Sequence, residues 1–152
     1  MVKDSIEKEV RIDAPIEVVW SIVTEPEHIG SWLGSSAEVD LRPGGDMVLK
    51  FGDFGAANCT VERVERPKLF AFRWVTPEPD RDPSLQDGYA TLVELQLRAD
   101  GEATMLRMVE SGFASLPGSD EENAALAQRH TGGWGTFLDQ LIAYVATAEV
   151  SA

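Results

Sequence analysis

His130 and Glu110 are the two side chains whose type and spacing could do chemistry. His130 precedes Trp134 by one helical turn, beside a stripe that continues through Leu138, Leu141 and Val145. An imidazole on that face can exchange a hydrogen bond with a bound molecule or act as a general base. The competing expectation is structural, with His130 binding backbone near the start of its helix. Glu110 follows Leu106 and Met108 at alternate positions, so a regular strand would turn all three inward. A carboxylate facing an apolar interior is costly without a partner, and His130 is one that geometry permits. Against that stands a bulge near Ser111 and Gly112, which would turn Glu110 to solvent.

The remaining reactive groups are few. Tyr89 and Thr91 would add hydroxyls to an apolar wall. Cys59, the single cysteine, permits no internal disulfide and no thiolate zinc site, and on an inward face it reads as an inert buried thiol. His28, after Pro26, is expected at the surface. No cluster of His, Asp and Glu has metal-ligand spacing, and Asp80, Asp82 and Asp87 lack the glycine and terminal glutamate of a calcium loop. Gly44 and Gly45 read as a turn, because no helix opening with Lys-Ser or Lys-Thr follows to hold phosphate. Neither a metal nor a cofactor is expected.

The elements that must position these groups follow from periodicity. Residues 5–13 alternate around Ile6, Val10 and Ile12, a strand with one exposed face. Asp13 is a plausible cap, with Pro15 in the first turn of a helix whose stripe is Ile16, Val19, Trp20 and Val23. Pro26 interrupts, and a short second helix runs to Trp32. From Val39 to Ser111 the chain reads as consecutive strands. Met47, Leu49 and Phe51 share a face, as do Cys59 and Val61, then Phe70, Phe72 and Trp74, and finally Tyr89, Thr91, Val93, Leu95 and Leu97. Pro43-Gly44-Gly45, Arg66-Pro67 and Asp100-Gly101 mark turns, which implies an antiparallel meander. Residues 76–87 form the long exception, a loop that reads as functional or mobile and that would sit near the entrance of a pocket. Ser119 and Glu122 fit a capping box for a helix to about Thr147. Inside it stand Gly132, Gly133 and Gly135, at a cost of about 1 kcal/mol each relative to alanine. A close approach of the helix backbone, space left near Trp134, or a kink would each account for them.

Bulk properties bound the function. The 152 residues are the size of a single domain, taken here as 1–152, and 43% are hydrophobic. The net charge of −13 disfavours nucleic acid and anionic membrane surfaces. No apolar run is long enough to span a membrane and no signal peptide is evident, so a cytoplasmic protein is the expectation. A homodimer is compatible with the sequence, which locates no interface.

In its motifs the chain resembles the family of the activator of heat-shock-protein-90 ATPase homologue, within the START-like or SRPBCC superfamily. The resemblance rests on Ala14-Pro15 with Val18-Val19-Trp20, on Trp32-Leu33, on Leu41-Arg42-Pro43-Gly44-Gly45, on Pro67-Lys68-Leu69, on Ser111-Gly112-Phe113, and on Gly133-Trp134 followed by Leu138 and Leu141. It implies an α+β helix-grip fold, with a curved antiparallel sheet of six to seven strands around a long C-terminal helix and two short helices after the first strand. It also implies an internal cavity, which many superfamily members use for hydrophobic compounds. The expected cavity residues are Trp32, Phe51, Cys59, Phe70, Phe72, Trp74, Tyr89, Thr91, Met108, Glu110, His130, Trp134 and Phe137. A resemblance of fold does not choose an activity. Three functions remain: a carrier of a small hydrophobic molecule, an enzyme using the same pocket through Glu110 or His130, and a co-chaperone-like interaction module.

Overall fold

A computed structural model describes residues 4–52, 56–75, 90–116 and 119–148. Tyr89, the 76–87 loop and its three aspartates lie outside the described residues. Seven strands form one antiparallel sheet: β1 (Ser5–Ile12), β2 (Ser36–Val39), β3 (Asp46–Lys50), β4 (Ala56–Glu65), β5 (Leu69–Val75), β6 (Thr91–Asp100) and β7 (Ala103–Ser111). Their order is β1-β7-β6-β5-β4-β3-β2, so β2 to β7 are a meander and β1 closes onto its last strand. Helices α1 (Ile16–Thr24) and α2 (Pro26–Trp32) follow β1, and α3 (Asp120–Ala148) is gripped by the curved sheet. This is the helix-grip architecture.

Alternation builds the inner wall. Met47 and Leu49 on β3, Cys59 and Val61 on β4, Phe70, Phe72 and Trp74 on β5, Thr91, Val93, Leu95 and Leu97 on β6, and Leu106, Met108 and Glu110 on β7 are all buried. A register shift between Val61 and Arg63 puts an irregularity into the β4–β5 ladder, a device that bends a strand and adds twist. From α3 the stripe of Trp134, Leu138, Leu141 and Val145 fills the concave side, all at 2% exposure or less. Together these positions satisfy the two periodicities, two along strands and 3.6 along the helix, on one shared core.

Two local expectations require correction. Asp13 does not cap α1. The cap position is Pro15, whose own carbonyl accepts from the amides of Val18 and Val19 at 3.0 and 3.1 Å. The chain turns helical too late for Asp13 to reach those amides, and its carboxylate lies 3.7 Å from Arg11 at the surface instead. His28 is half-buried, not superficial: its Nδ1 is 2.7 Å from the Tyr144 hydroxyl, linking α2 to α3. Trp32 donates its indole hydrogen to the Ile22 carbonyl at 3.1 Å, which clamps α2 onto α1.

The capping box is formed as expected. The Glu122 amide donates to Ser119 Oγ at 3.1 Å, and the Ser119 amide donates to Glu122 Oε1 at 2.9 Å. Beyond it α3 runs unbroken through its glycines, which do not mark a close approach of the helix to the sheet. A methyl carbon added at Gly132 would meet nothing within 4 Å, at Gly133 only the Phe137 ring at 3.9 Å, and at Gly135 only Lys8 Nζ at 3.8 Å. Gly132 faces outward, and Gly135 lines an open groove of ≈ 270 Å³ between β1 and α3 with Lys8, Glu9, Val10, Leu138 and Asp139. The helix therefore forgoes propensity without a steric reason at Gly132. Gly132→Ala is expected to raise stability by about 0.5–1 kcal/mol. Urea denaturation of the two proteins checks this, and an unchanged or lowered midpoint would show that Gly132 is required.

Candidate functional site

Glu110 is fully buried, at 0% exposure, and three donors converge on its carboxyl group. Trp134 donates its indole hydrogen to Oε1 at 2.8 Å, and Thr91 donates its hydroxyl to Oε2 at 2.5 Å. His130 Nδ1 lies 3.0 and 2.9 Å from the two oxygens, astride the carboxyl group. With the carboxyl group as the common acceptor, Nδ1 carries the hydrogen of that bond, and Nε2 is the nitrogen that sets the ring's proton chemistry.

Each member is positioned by its element. β7 stays regular through Ser111, where it still pairs with β1 and β6, so Glu110 keeps the inward register of Leu106 and Met108. The turn comes only afterwards, at Gly112 with φ 101°, a backbone angle that glycine adopts without strain. The bulge that would have sent Glu110 to solvent is absent. Glu110 faces Val93 across the β6–β7 ladder, which places Thr91 on the diagonal within reach. His130 and Trp134 stand one turn apart on α3, so a single helix face supplies both.

Around this cluster the aromatic side chains form a closed ring of contacts. Phe51 stacks on Trp74 at 6.2 Å and 7°, Trp74 meets Trp134 edge-on at 5.3 Å, Trp134 meets Phe137 at 6.0 Å, and Phe137 returns to Phe51 at 6.3 Å. These separations lie in the range where ring pairs attract beyond simple burial. Trp74 and Trp134 are buried, whereas Phe51 and Phe137 are half-buried and form the open side. His130 is held between Trp74 at 5.8 Å and Phe113 at 5.6 Å. Phe113 escaped the sequence reading as a site residue. The left-handed turn at Gly112 tucks it back under α3, and the Ser111-Gly112-Phe113 motif was the available signal.

The other expected residues fall into two groups. Phe72 continues the wall from Trp74 at 6.1 Å and Phe70 from Phe72 at 5.3 Å, while Met108 lies two residues before Glu110, and Cys59 is the β4 neighbour of Trp74. Trp32 is fully buried in the same core, with its polar atom committed to the α1–α2 clamp. Among the described residues, no group of three or more His, Cys, Asp and Glu side chains could hold a metal ion. One polar atom of the wall is unmatched: Trp74 Nε1 is buried without a hydrogen-bond partner among the described residues. Such a donor costs about 1–3 kcal/mol when it is removed from water unpaired.

The cluster predicts strong coupling. Glu110→Ala strands the His130 and Trp134 donors and is expected to destabilise the fold by about 3–5 kcal/mol. In a double-mutant cycle, Glu110→Ala and His130→Ala should couple by about 1–3 kcal/mol, read from urea midpoints. Strictly additive effects would contradict a working Glu110–His130 pair.

Comparison with known proteins agrees with this architecture. Among solved structures, the chain is similar to protein MLL2253 from Mesorhizobium loti, at 24% identity over 94% of this chain and 97% of that one, with a TM-score of 0.77. It is similar to CalU16 from Micromonospora echinospora, at 28% identity over 93% and 73% of the two chains, TM-score 0.68. It is also similar to DynU16, described as a putative protein in the dynemicin biosynthetic locus, at 26% identity and TM-score 0.74; the match covers 96% of this chain but only 48% of DynU16, so the chain spans about half of that protein. No curated protein matches. No helix among the described residues is long and apolar enough to cross a membrane. The family model for Activator of Hsp90 ATPase homolog 1-like protein matches residues 13–146. With nearly the whole helix-grip unit inside that match, the chain belongs to this family.

Proposed function

We propose that the protein binds a small hydrophobic molecule between the concave face of the sheet and α3, entering on the side of Phe51 and Phe137. The observation that carries this reading is the Glu110 cluster: a buried carboxyl group, an imidazole, an indole and a hydroxyl set in an otherwise aromatic and aliphatic wall. A mainly apolar surface with a few convergent polar groups is the usual composition of a small-molecule site. A buried carboxyl group that needs three donors is a costly way to fill a core, and its cost is offset where the same groups also serve a bound molecule. The description of DynU16 as a putative protein of a biosynthetic locus is in keeping with a small-molecule partner.

The Glu110–His130 contact favours a second reading, an enzyme in which His130 moves a proton and Glu110 orients it. A carboxyl group on Nδ1 fixes the tautomer and orientation of an imidazole, the arrangement general bases use. The two readings share one site and differ in what happens to the molecule bound there.

Native mass spectrometry of protein purified from its source, followed by a thermal-shift screen of lipophilic compounds, tests the proposal. A ligand held at 100 times its Kd adds about 2.7 kcal/mol, which raises Tm by roughly 5–10 °C in a domain of this size. The absence of both a retained mass and any shift across the screen would overturn ligand binding. An unchanged mass of the bound compound after incubation identifies a carrier; conversion that disappears in His130→Asn identifies the enzyme.

A further inference from the structure

Three of the four tryptophans, all buried in the core, spend their polar atoms differently. Trp32 gives its indole hydrogen to the Ile22 carbonyl and Trp134 gives its own to Glu110, whereas Trp74 Nε1 is buried with nothing among the described residues to receive it. The indole is 4% exposed and central to the site, touching Phe51, Phe72, His130 and Trp134. An indole nitrogen donates only, so the missing group is an acceptor. The nearest polar cluster is already committed, because Oε1 of Glu110 takes Trp134 and Oε2 takes Thr91, with His130 across both. Buried polar groups in folded proteins rarely stay unpaired, and those that do call for a specific account.

We propose that the bound molecule supplies this acceptor: a neutral, ring-containing hydrophobic compound whose carbonyl oxygen receives the Trp74 Nε1 hydrogen. The inference rests on the ligand-binding reading above and narrows it to a chemical class. Its apolar body lies along Phe51 and Phe137, the half-buried side of the aromatic ring. A carboxylate or phosphate ligand is disfavoured, since the Glu110 carboxyl group lies just behind Trp134 and the chain carries a net charge of −13. A plain hydrocarbon would fill the same space and leave the indole unpaired. The ligand oxygen would also lie close to His130, whose ring centroid is 5.8 Å from that of Trp74.

The test uses a shape-matched pair, fluorene and 9-fluorenone, which differ by one carbonyl group. Titration of the full chain is followed through the indole N–H signals in nitrogen-15 NMR spectra, with that of Trp74 assigned by nuclear Overhauser contacts and checked in Trp74→Phe. The expected result is that both compounds bind, with 9-fluorenone at least tenfold tighter. Only 9-fluorenone should move the Trp74 signal downfield, and Trp74→Phe should reduce its affinity to that of fluorene. Equal affinities, an unmoved Trp74 signal with 9-fluorenone bound, or a preference that persists in Trp74→Phe would each overturn the carbonyl inference while leaving ligand binding in place. A Trp74 signal whose shift and slow solvent exchange already show a hydrogen bond in the free protein would overturn it as well. If neither compound binds, the carbonyl inference fails, while the ligand reading is decided by the mass spectrometry and the screen above. The wild-type titration decides the matter alone if Trp74→Phe does not fold.

Discussion

Burying the carboxyl group of Glu110 is the constraint on which the site depends. Removed from water, the group is tolerated only because Thr91, His130 and Trp134 surround it with donors. Those donors come from β6 and α3, while Glu110 itself comes from β7, so one carboxyl group ties three elements together. The arrangement also sets the phase of α3. A helix turned by one residue, about 100°, would remove both His130 and Trp134 from β7 and leave a buried carboxyl group with one hydroxyl. The grip of sheet on helix is therefore specific as well as hydrophobic.

The aromatic ring of Phe51, Trp74, Trp134 and Phe137 gives this polar cluster an apolar setting. Trp134 belongs to both, with its edge packed against Trp74 and its nitrogen on Glu110. Movement of a molecule against Phe51 and Phe137 would thus be felt at Glu110 through a single rigid side chain. Family membership supplies the fold and leaves the activity open, since one scaffold carries many functions. Among the described residues, a satisfied carboxyl group stands beside an indole that has no partner.

Much of this was legible in the sequence because burial obeys simple periods. Alternation placed Phe70, Phe72 and Trp74 on one face, and the 3.6-residue stripe placed Trp134, Leu138 and Leu141 on another. Glu110 stayed undecided because strand ends are where register is least determined by pattern. Its outcome turned on whether the chain bends before or after Ser111, and the positive φ of Gly112 puts the bend after. The three helix glycines misled, because low propensity in sequence does not reveal which side of the helix is empty. Gly132 points outward rather than into the site. Asp13 carried the residue type of a cap and stood too early in the chain to act as one. His28 became half-buried through Tyr144, a partner 116 positions away that no local pattern reveals.

The account turns on Nδ1 of His130 giving its hydrogen to Glu110. Nitrogen-15 NMR of the imidazole ring reads this directly, because protonated and bare ring nitrogens resonate far apart. The account predicts a protonated Nδ1 whose hydrogen shows a contact to the Glu110 side chain and exchanges slowly with solvent. A bare Nδ1, with the ring's only hydrogen on Nε2, would contradict it: the carboxyl group would then face an acceptor, and the cluster would not be the organising centre of the site.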